Sequence, residues 1–149
     1  MEYSYARLTP QDLSGFTQLL RVFGDAFEDA ETYGGAVPSP SYLATFLGRP
    51  QNIVLVARSG EEVVGGLVAY VLEKFERERS EVYIYDLAVA EPYRRRGIAR
   101  TLIERLKPIS RDFGAWVIYV QADYGDAPAI ALYTSLGARE DVMHFDIPV

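Results

Sequence analysis

The stretch that most constrains the fold is a strand, a turn and a helix in immediate succession. Residues 81–89, EVYIYDLAV, are rich in β-branched and aromatic side chains, the composition of a half-buried or buried strand. Glu91-Pro92 ends it, and Arg94-Arg95-Arg96-Gly97-Ile98-Ala99 then opens an amphipathic pattern through Leu102, Ile103, Leu106 and Ile109. A helix entered straight from a strand presents unsatisfied N–H groups and the positive end of its dipole, which suits an anion. Gly97 and Ala99 leave room for close approach to the main chain, while Ile98 turns inward as an anchor. Without its surroundings the arginine run reads as a solvated face before an ordinary helix. The strand before it and the helix after it favour a phosphate site. No Gly-Lys-Ser/Thr follows and the three-glycine dinucleotide spacing is missing, so neither of those phosphate loops is present. Pro108 is expected to kink or end the helix.

The remaining periodicities place this unit in a mixed α/β domain spanning 1–149. Residues 3–8 alternate as a strand, Thr9 reads as an N-cap with Pro10 at the first helical position, and Leu13, Phe16, Leu19, Leu20 and Phe23 form a helical stripe towards Gly24. An acidic, Gly-closed loop is expected over 25–35, and Ser39-Pro40 opens a second short helix. Residues 53–58 and 63–72 read as a hairpin, with Gly65-Gly66 marking a bend or bulge. A strand over 115–121, a helix over 127–136 and a last strand over 142–147 complete the order β-α-α-β-β-β-α-β-α-β.

Charge and composition exclude several classes of function. With 15 Lys+Arg against 21 Asp+Glu, the net charge of −6 argues against a general nucleic-acid or anionic-membrane binder. The absence of cysteine removes disulfides, a thiol nucleophile and thiolate metal sites, and a lone His144 makes a histidine-based metal site improbable, so no metal is expected. The first ten residues carry no secretory apolar core and no run of eighteen apolar residues follows, which places the chain in the cytoplasm.

With Arg94, Gly97 and Ala99 in a Q/R-x-x-G-x-G/A pattern after a strand, the chain resembles the GNAT superfamily of acyl-CoA-dependent N-acyltransferases. Residues 126–138, DAPAIALYTSLGA, look like that family's second motif, a helix carrying A-x-x-x-Y and closing on Leu-Gly. The segments FGDAFEDAETY, SEVYIYDLAV, AWVIYVQADYGDAP and VMHFDI resemble the type I, gentamicin-modifying aminoglycoside 3-N-acetyltransferases over nearly the whole chain. Pro108 is a departure within the CoA-side helix. The resemblance implies a central, mostly antiparallel twisted sheet flanked by helices, with splayed parallel strands where acetyl-CoA binds as cosubstrate. It implies that Arg94, Arg95, Arg96, Gly97, Ile98, Ala99, Arg100 and Thr101 hold the CoA pyrophosphate. It further implies that Leu87, Ala88 and Val89 pair with the pantetheine arm and that Tyr133 protonates the departing sulfur. Homologues commonly dimerise, and the β-rich C-terminus fits a homodimer.

Acetyl transfer to an amine needs the amine deprotonated and, for a polycationic acceptor, anionic side chains. Asp86 is the first candidate base, an acid inside an apolar strand just before the residues expected to meet the thioester; Glu81 is the reserve. Strict alternation puts Asp86 on the face of Val82, Ile84 and Ala88, opposite Glu81, Tyr83 and Tyr85, unless a bulge changes the phase. A carboxylate that only binds an ammonium, or a structural acid, is the other reading of Asp86. Candidate acceptor-binding residues are Glu28, Asp29, Tyr85, Asp123, Asp126 and Asp146. Asp123 and Asp126 read equally as turn and N-cap residues, and His144 as a packed strand residue rather than a base. The basic stretch 94–111 carries seven Lys and Arg against Glu104 alone, so the two charge zones match a polyanionic donor and a polycationic acceptor. With no cysteine and no Ser-His-Asp order, direct attack in a ternary complex is expected, with the Val89 N–H polarising the thioester carbonyl. A GNAT acting on a protein N-terminus, a lysine or a polyamine, and a silent acyl-CoA-binding module, remain the alternatives.

Overall fold

A computed structural model describes residues 2–149. They fall into two compact units, residues 2–119 and 120–149, each described by itself. The first holds a five-stranded sheet in the order β1-β2-β3-β4-β5. Strand β1 is Ser4–Arg7, β2 Asn52–Ser59, β3 Glu62–Glu73, β4 Ser80–Val89 and β5 Ala115–Val120, its last residue opening the second unit. The first four strands pair antiparallel. Along β4 and β5 the contacts advance in the same sense: Ser80 N–H to the Gly114 carbonyl, Glu81 to Trp116, Tyr83 to Tyr119. That is the sense of a parallel pair, so the sheet is mixed.

Helix α1 (Leu13–Ala26) begins about a turn later than Thr9-Pro10 predicts. Thr9 and Asp12 instead close a turn on themselves, the Thr9 N–H donating to Asp12 Oδ2 at 2.9 Å and the Asp12 N–H to the Thr9 carbonyl at 2.8 Å. Gly24 lies buried inside α1, and the acidic segment expected as a loop contains a further helix, α2 (Ala30–Gly34), capped by Asp29 through the Thr32 N–H. Helix α3 (Pro40–Gly48) starts at Ser39 as its cap. Phe16, Leu19, Phe23, Leu43 and Leu47 from α1 and α3 pack with Val54, Val56, Val68 and Ala88 of the sheet.

Helix α4 (Ile98–Asp112) runs on through Pro108, contrary to the expected break. Pro108 and Glu104, whose carbonyl would have met the missing N–H, both face solvent, while buried Leu106 and Ser110 hold the helix on either side. Water can take that carbonyl, and burial of the apolar stripe outweighs one lost bond.

The second unit contains α5 (Ala127–Leu136). The strand expected over 142–147 is not formed: residues 137–149 carry no regular structure and Val142, Met143, Phe145 and Ile147 are exposed. Alternation alone makes no strand; a ladder partner is needed, and none is present among the described residues. His144 is likewise exposed rather than packed, 2.8 Å from Asp146 Oδ1. No helix among the described residues is long and apolar enough to cross a membrane.

Candidate active site

The face on which Asp86 lies is set by one extra residue in β4. Tyr83 stands opposite Tyr70 and Ile84 opposite Ala69, but Asp86 stands opposite Val68, so Tyr85 has no partner and bulges. The bulge reverses the alternation. Asp86 therefore shares a face with Glu81, Tyr83 and Ala88, and not with Val82 and Ile84, which are buried on the other side. This corrects the strict-alternation expectation for Asp86, except for its side-sharing with Ala88.

On that face Asp86 is half-buried and accepts a hydrogen bond at Oδ2 from the Tyr33 hydroxyl, 2.8 Å away. Burial pushes the Asp86 carboxyl above the ordinary carboxylate range, and the bond from Tyr33 opposes that rise. Burial, reinforced by the same bond, pushes Tyr33 well above the usual phenol value, so it stays a donor. Tyr33 was not among the sequence candidates. It closes the segment FGDAFEDAETY, but nothing in the sequence spacing links it to residue 86.

Beside Asp86 runs a chain of aromatic rings crossing three strands. Tyr70 meets Tyr85 at 5.9 Å, Tyr85 meets Tyr83 at 5.8 Å, and Tyr83 stacks on Tyr119 at 4.7 Å and 7°. Phe46 of α3 closes the row on Tyr70. Tyr85, thrown outward by the bulge, is 59% exposed. Burial pushes Tyr70 and Tyr83 above the usual phenol value.

Glu81, the reserve base, is five residues from Asp86 along the same face and is otherwise engaged. Its Oε2 accepts from Trp116 Nε1 at 3.0 Å, and Lys74 Nζ lies 3.8 Å from Oε1. Glu28 has left-handed backbone at φ 52° and is exposed, while the Asp29 carboxylate is occupied as the α2 cap, which draws it below its usual range. In the second unit Asp126 caps α5 by accepting from the Ala129 N–H, and the Asp123 carbonyl accepts from the Asp126 N–H. Tyr133, in α5, is pushed up to about 12 by burial and, secondarily, by Asp126, so it remains protonated. Asp146 is held by His144.

Below the end of β4 the loop into α4 has the geometry of an anion cradle. A 3-10 turn at Glu91–Tyr93 leads to Arg95 at φ 63° and Gly97 at φ 79°. Left-handed residues this close together turn successive N–H groups towards a common side. The first helical bond of α4 runs from the Thr101 N–H to the Gly97 carbonyl at 3.0 Å, so the Ile98 and Ala99 N–H groups precede the ladder. A Cβ on Gly97 would meet nothing within 4 Å, which leaves space directly over the loop.

The arginines divide the work. Arg94 Nε donates to the Val89 carbonyl at 2.9 Å, pinning the loop to the end of β4. Arg96 donates to the Tyr3 hydroxyl at 3.2 Å and lies near the Tyr93 ring, whereas Arg95 projects from the loop exposed. The Thr101 hydroxyl donates to the Gly97 carbonyl at 2.8 Å, so its proton is committed within the helix. Leu87, Ala88 and Val89 pair with Leu67, Gly66 and Gly65 on one side, and the six residues of β5 run beside the first part of β4. Among the described residues no group of three or more His, Cys, Asp or Glu is placed to hold a metal ion. A cleft of about 770 Å³ opens between α1 and this loop, bordered by Gln18, Arg21, Glu62 and Arg94, and does not include Asp86.

Comparison with known proteins agrees with this geometry. The family model described as Acetyltransferase (GNAT) family matches residues 18–138. A crystal structure of an aminoglycoside acetyltransferase from an uncultured soil metagenomic sample is 52% identical, covers 100% of this chain and 99% of its own, and superposes with a TM-score of 0.97. A second such enzyme, solved in complex with sisomicin, is 34% identical over 99% of this chain and 96% of its own, with a TM-score of 0.90. An N-alpha-acetyltransferase of Saccharolobus solfataricus is 33% identical over 89 residues, 52% of this chain and 53% of that protein, and an N-acetyltransferase 8B of Rattus norvegicus is matched over 40% of its length. The chain thus spans about half or less of those two relatives.

Proposed function

Because the chain belongs to the GNAT family and is an acetyltransferase using acetyl-CoA, we propose that its acceptor is an aminoglycoside, acetylated on the 3-amino group of the 2-deoxystreptamine ring and thereby inactivated as an antibiotic. The observation that carries the acceptor class is the whole-length likeness, at 52% identity, to an aminoglycoside acetyltransferase. The site's own chemistry supports it. A half-buried carboxylate next to a row of tyrosines, of which Tyr85 is exposed, offers an anion for an ammonium and a ring for the apolar side of a sugar.

The loop and helix start fit the CoA pyrophosphate. The Ile98 and Ala99 N–H groups, the open space over Gly97 and the exposed Arg95 would receive it, while Arg94 and Arg96 brace the loop. Bound acetyl-CoA supplies a thioester carbonyl as electrophile. The acceptor ammonium first releases one proton to solvent; the neutral amine then forms the N–C bond as the C–S bond breaks, and Asp86 takes the second N–H proton. The Val89 N–H polarises the carbonyl oxygen, and Tyr133, protonated at neutral pH, supplies the proton to the sulfur, so atoms and charge balance. A homodimer and a cytoplasmic location belong to the same proposal.

The test is a thiol-release screen with acetyl-CoA against several aminoglycosides, a polyamine and a few peptides, followed by product regiochemistry. Turnover of gentamicin-like substrates at the 3-amino group is expected. Turnover of peptides alone would move the chain to an N-alpha-acetyltransferase role. CoA-dependent thermal stabilisation without thiol release from any amine would make it a binding module.

A further inference from the structure

Asp86 reaches its place on β4 through the bulge, but a carboxylate on a half-open sheet face has free χ1 and χ2 rotation unless something holds it. Tyr33 holds it. Helix α2 has five residues and no buried side chain, yet its tyrosine is fixed from several sides. The Tyr33 ring packs on Phe23 at 5.8 Å and Phe27 at 5.7 Å, and those two rings stack on each other at 5.7 Å and 17°. Helices α1 and α2 are in close contact here: a Cβ on Gly24 would stand at van der Waals distance, 3.4 Å, from the Tyr33 Cβ. The connection is closed by Glu28 in left-handed backbone and by the Asp29 N–H donating to the Gly24 carbonyl at 2.9 Å.

We propose that Tyr33 is a positioning residue for Asp86: its hydroxyl occupies Oδ2, so that Oδ1 is the oxygen presented to the acceptor amine. The inference rests on Asp86 being the base. A donor on one oxygen fixes the carboxylate plane and favours the ionised form, which is the form that accepts a proton. The groups around Asp86 are otherwise phenols: Tyr70 from β3, Tyr83 and Tyr85 from β4, and Tyr42 of α3 beyond Tyr70, with Asp29 behind Tyr33 as the nearby carboxylate. No cation competes with Tyr33 for that role among these neighbours.

The substitution Tyr33→Phe keeps the ring packing and removes only the hydroxyl. Two readouts are needed: the carboxyl-carbon NMR titration of Asp86, assigned by comparison with Asp86→Asn, and kcat/KM against pH with acetyl-CoA and sisomicin. A hydrogen bond to a charged group contributes about 1.5–3 kcal/mol, the equivalent of about one to two pH units before solvent screening. Tyr33→Phe is therefore expected to raise the Asp86 midpoint by about one unit. It should move the acidic limb of kcat/KM with it and lower kcat at pH 7 several-fold, with KM for acetyl-CoA unchanged. An unmoved Asp86 midpoint, or a loss equal at every pH, would overturn the proposal. If the midpoint moves but Asp86→Asn retains full acetyl transfer, the base assignment fails instead, and the bond is structural.

Discussion

Gly97 separates two contributions that are usually confounded, the backbone strain a side chain would feel and the space it would fill. At φ 79° an alanine pays about 1–2 kcal/mol for left-handed backbone. It recovers about 0.4–1 kcal/mol from the smaller entropy of the unfolded chain. No atom lies within 4 Å of the new methyl, so no clash adds to this. The net loss for Gly97→Ala is about 1 kcal/mol, or roughly 2–5 °C in Tm for a chain of this size. The methyl nonetheless stands where the pyrophosphate would approach the Ile98 and Ala99 N–H groups, and one charge-assisted hydrogen bond is equivalent to about 1.5–3 kcal/mol, roughly 10- to 100-fold in Kd. Gly97→Asn is the control: asparagine tolerates left-handed backbone but carries the same Cβ. Thermal unfolding without ligand and calorimetric titration with CoA measure the two effects. The expected pattern is Ala slightly destabilised, Asn near wild type in stability, and both weakened for CoA. Wild-type CoA affinity in either variant would refute the cradle.

The substitution Asp86→Asn should depress kcat/KM strongly and remove its acidic limb, which in the wild type is expected above the ordinary Asp range because burial raises the carboxyl. The sign for stability is opposite. A folded pKa above the unfolded value of about 3.9 means that ionisation costs native stability as pH rises past it, so Asp86→Asn should raise Tm at pH 7 and leave it little changed at pH 3. In the diglycine of β3, Gly66→Ala would put a methyl 2.5 Å from the Leu55 carbonyl oxygen and 2.6 Å from Leu19 Cδ1. The expected cost is about 3 kcal/mol by chemical denaturation. The exposed Val142, Met143, Phe145 and Ile147 call for cover, so light scattering should show a homodimer and the double variant Phe145→Asp, Ile147→Asp a monomer. Added salt should raise KM for a polycationic acceptor; a salt-independent KM would count against acidic recognition.

The elements were largely legible because their signals are local. Periodicity located β4, α4 and α5, and Ser39 and Asp126 as caps, since a side chain reaching a backbone N–H three residues on needs only the adjacent sequence. The loop proposed to receive the pyrophosphate was legible for the same reason: strand, turn, glycine and helix start are consecutive. The misreadings came where distant groups compete. Pro108 was expected to stop α4, but the buried stripe on both sides of it carries the helix through. Residues 142–147 alternate like a strand and form none, because a ladder is made by a partner.

The same division runs through the site. The sequence by itself determined that an acid sits inside an apolar strand followed by a turn and a helix start of the kind that suits an anion, because residue type and spacing are properties of the chain. Which way that acid faces was decided only in the sheet, where pairing with β3 leaves Tyr85 unmatched and turns Asp86 towards α2. Its partner was decided there too. Tyr33 is 53 residues away, and only the packing of α2 on Phe23 and Phe27 brings its hydroxyl to 2.8 Å. A period of two predicts a face only while the ladder stays in register, and register is a property of two strands.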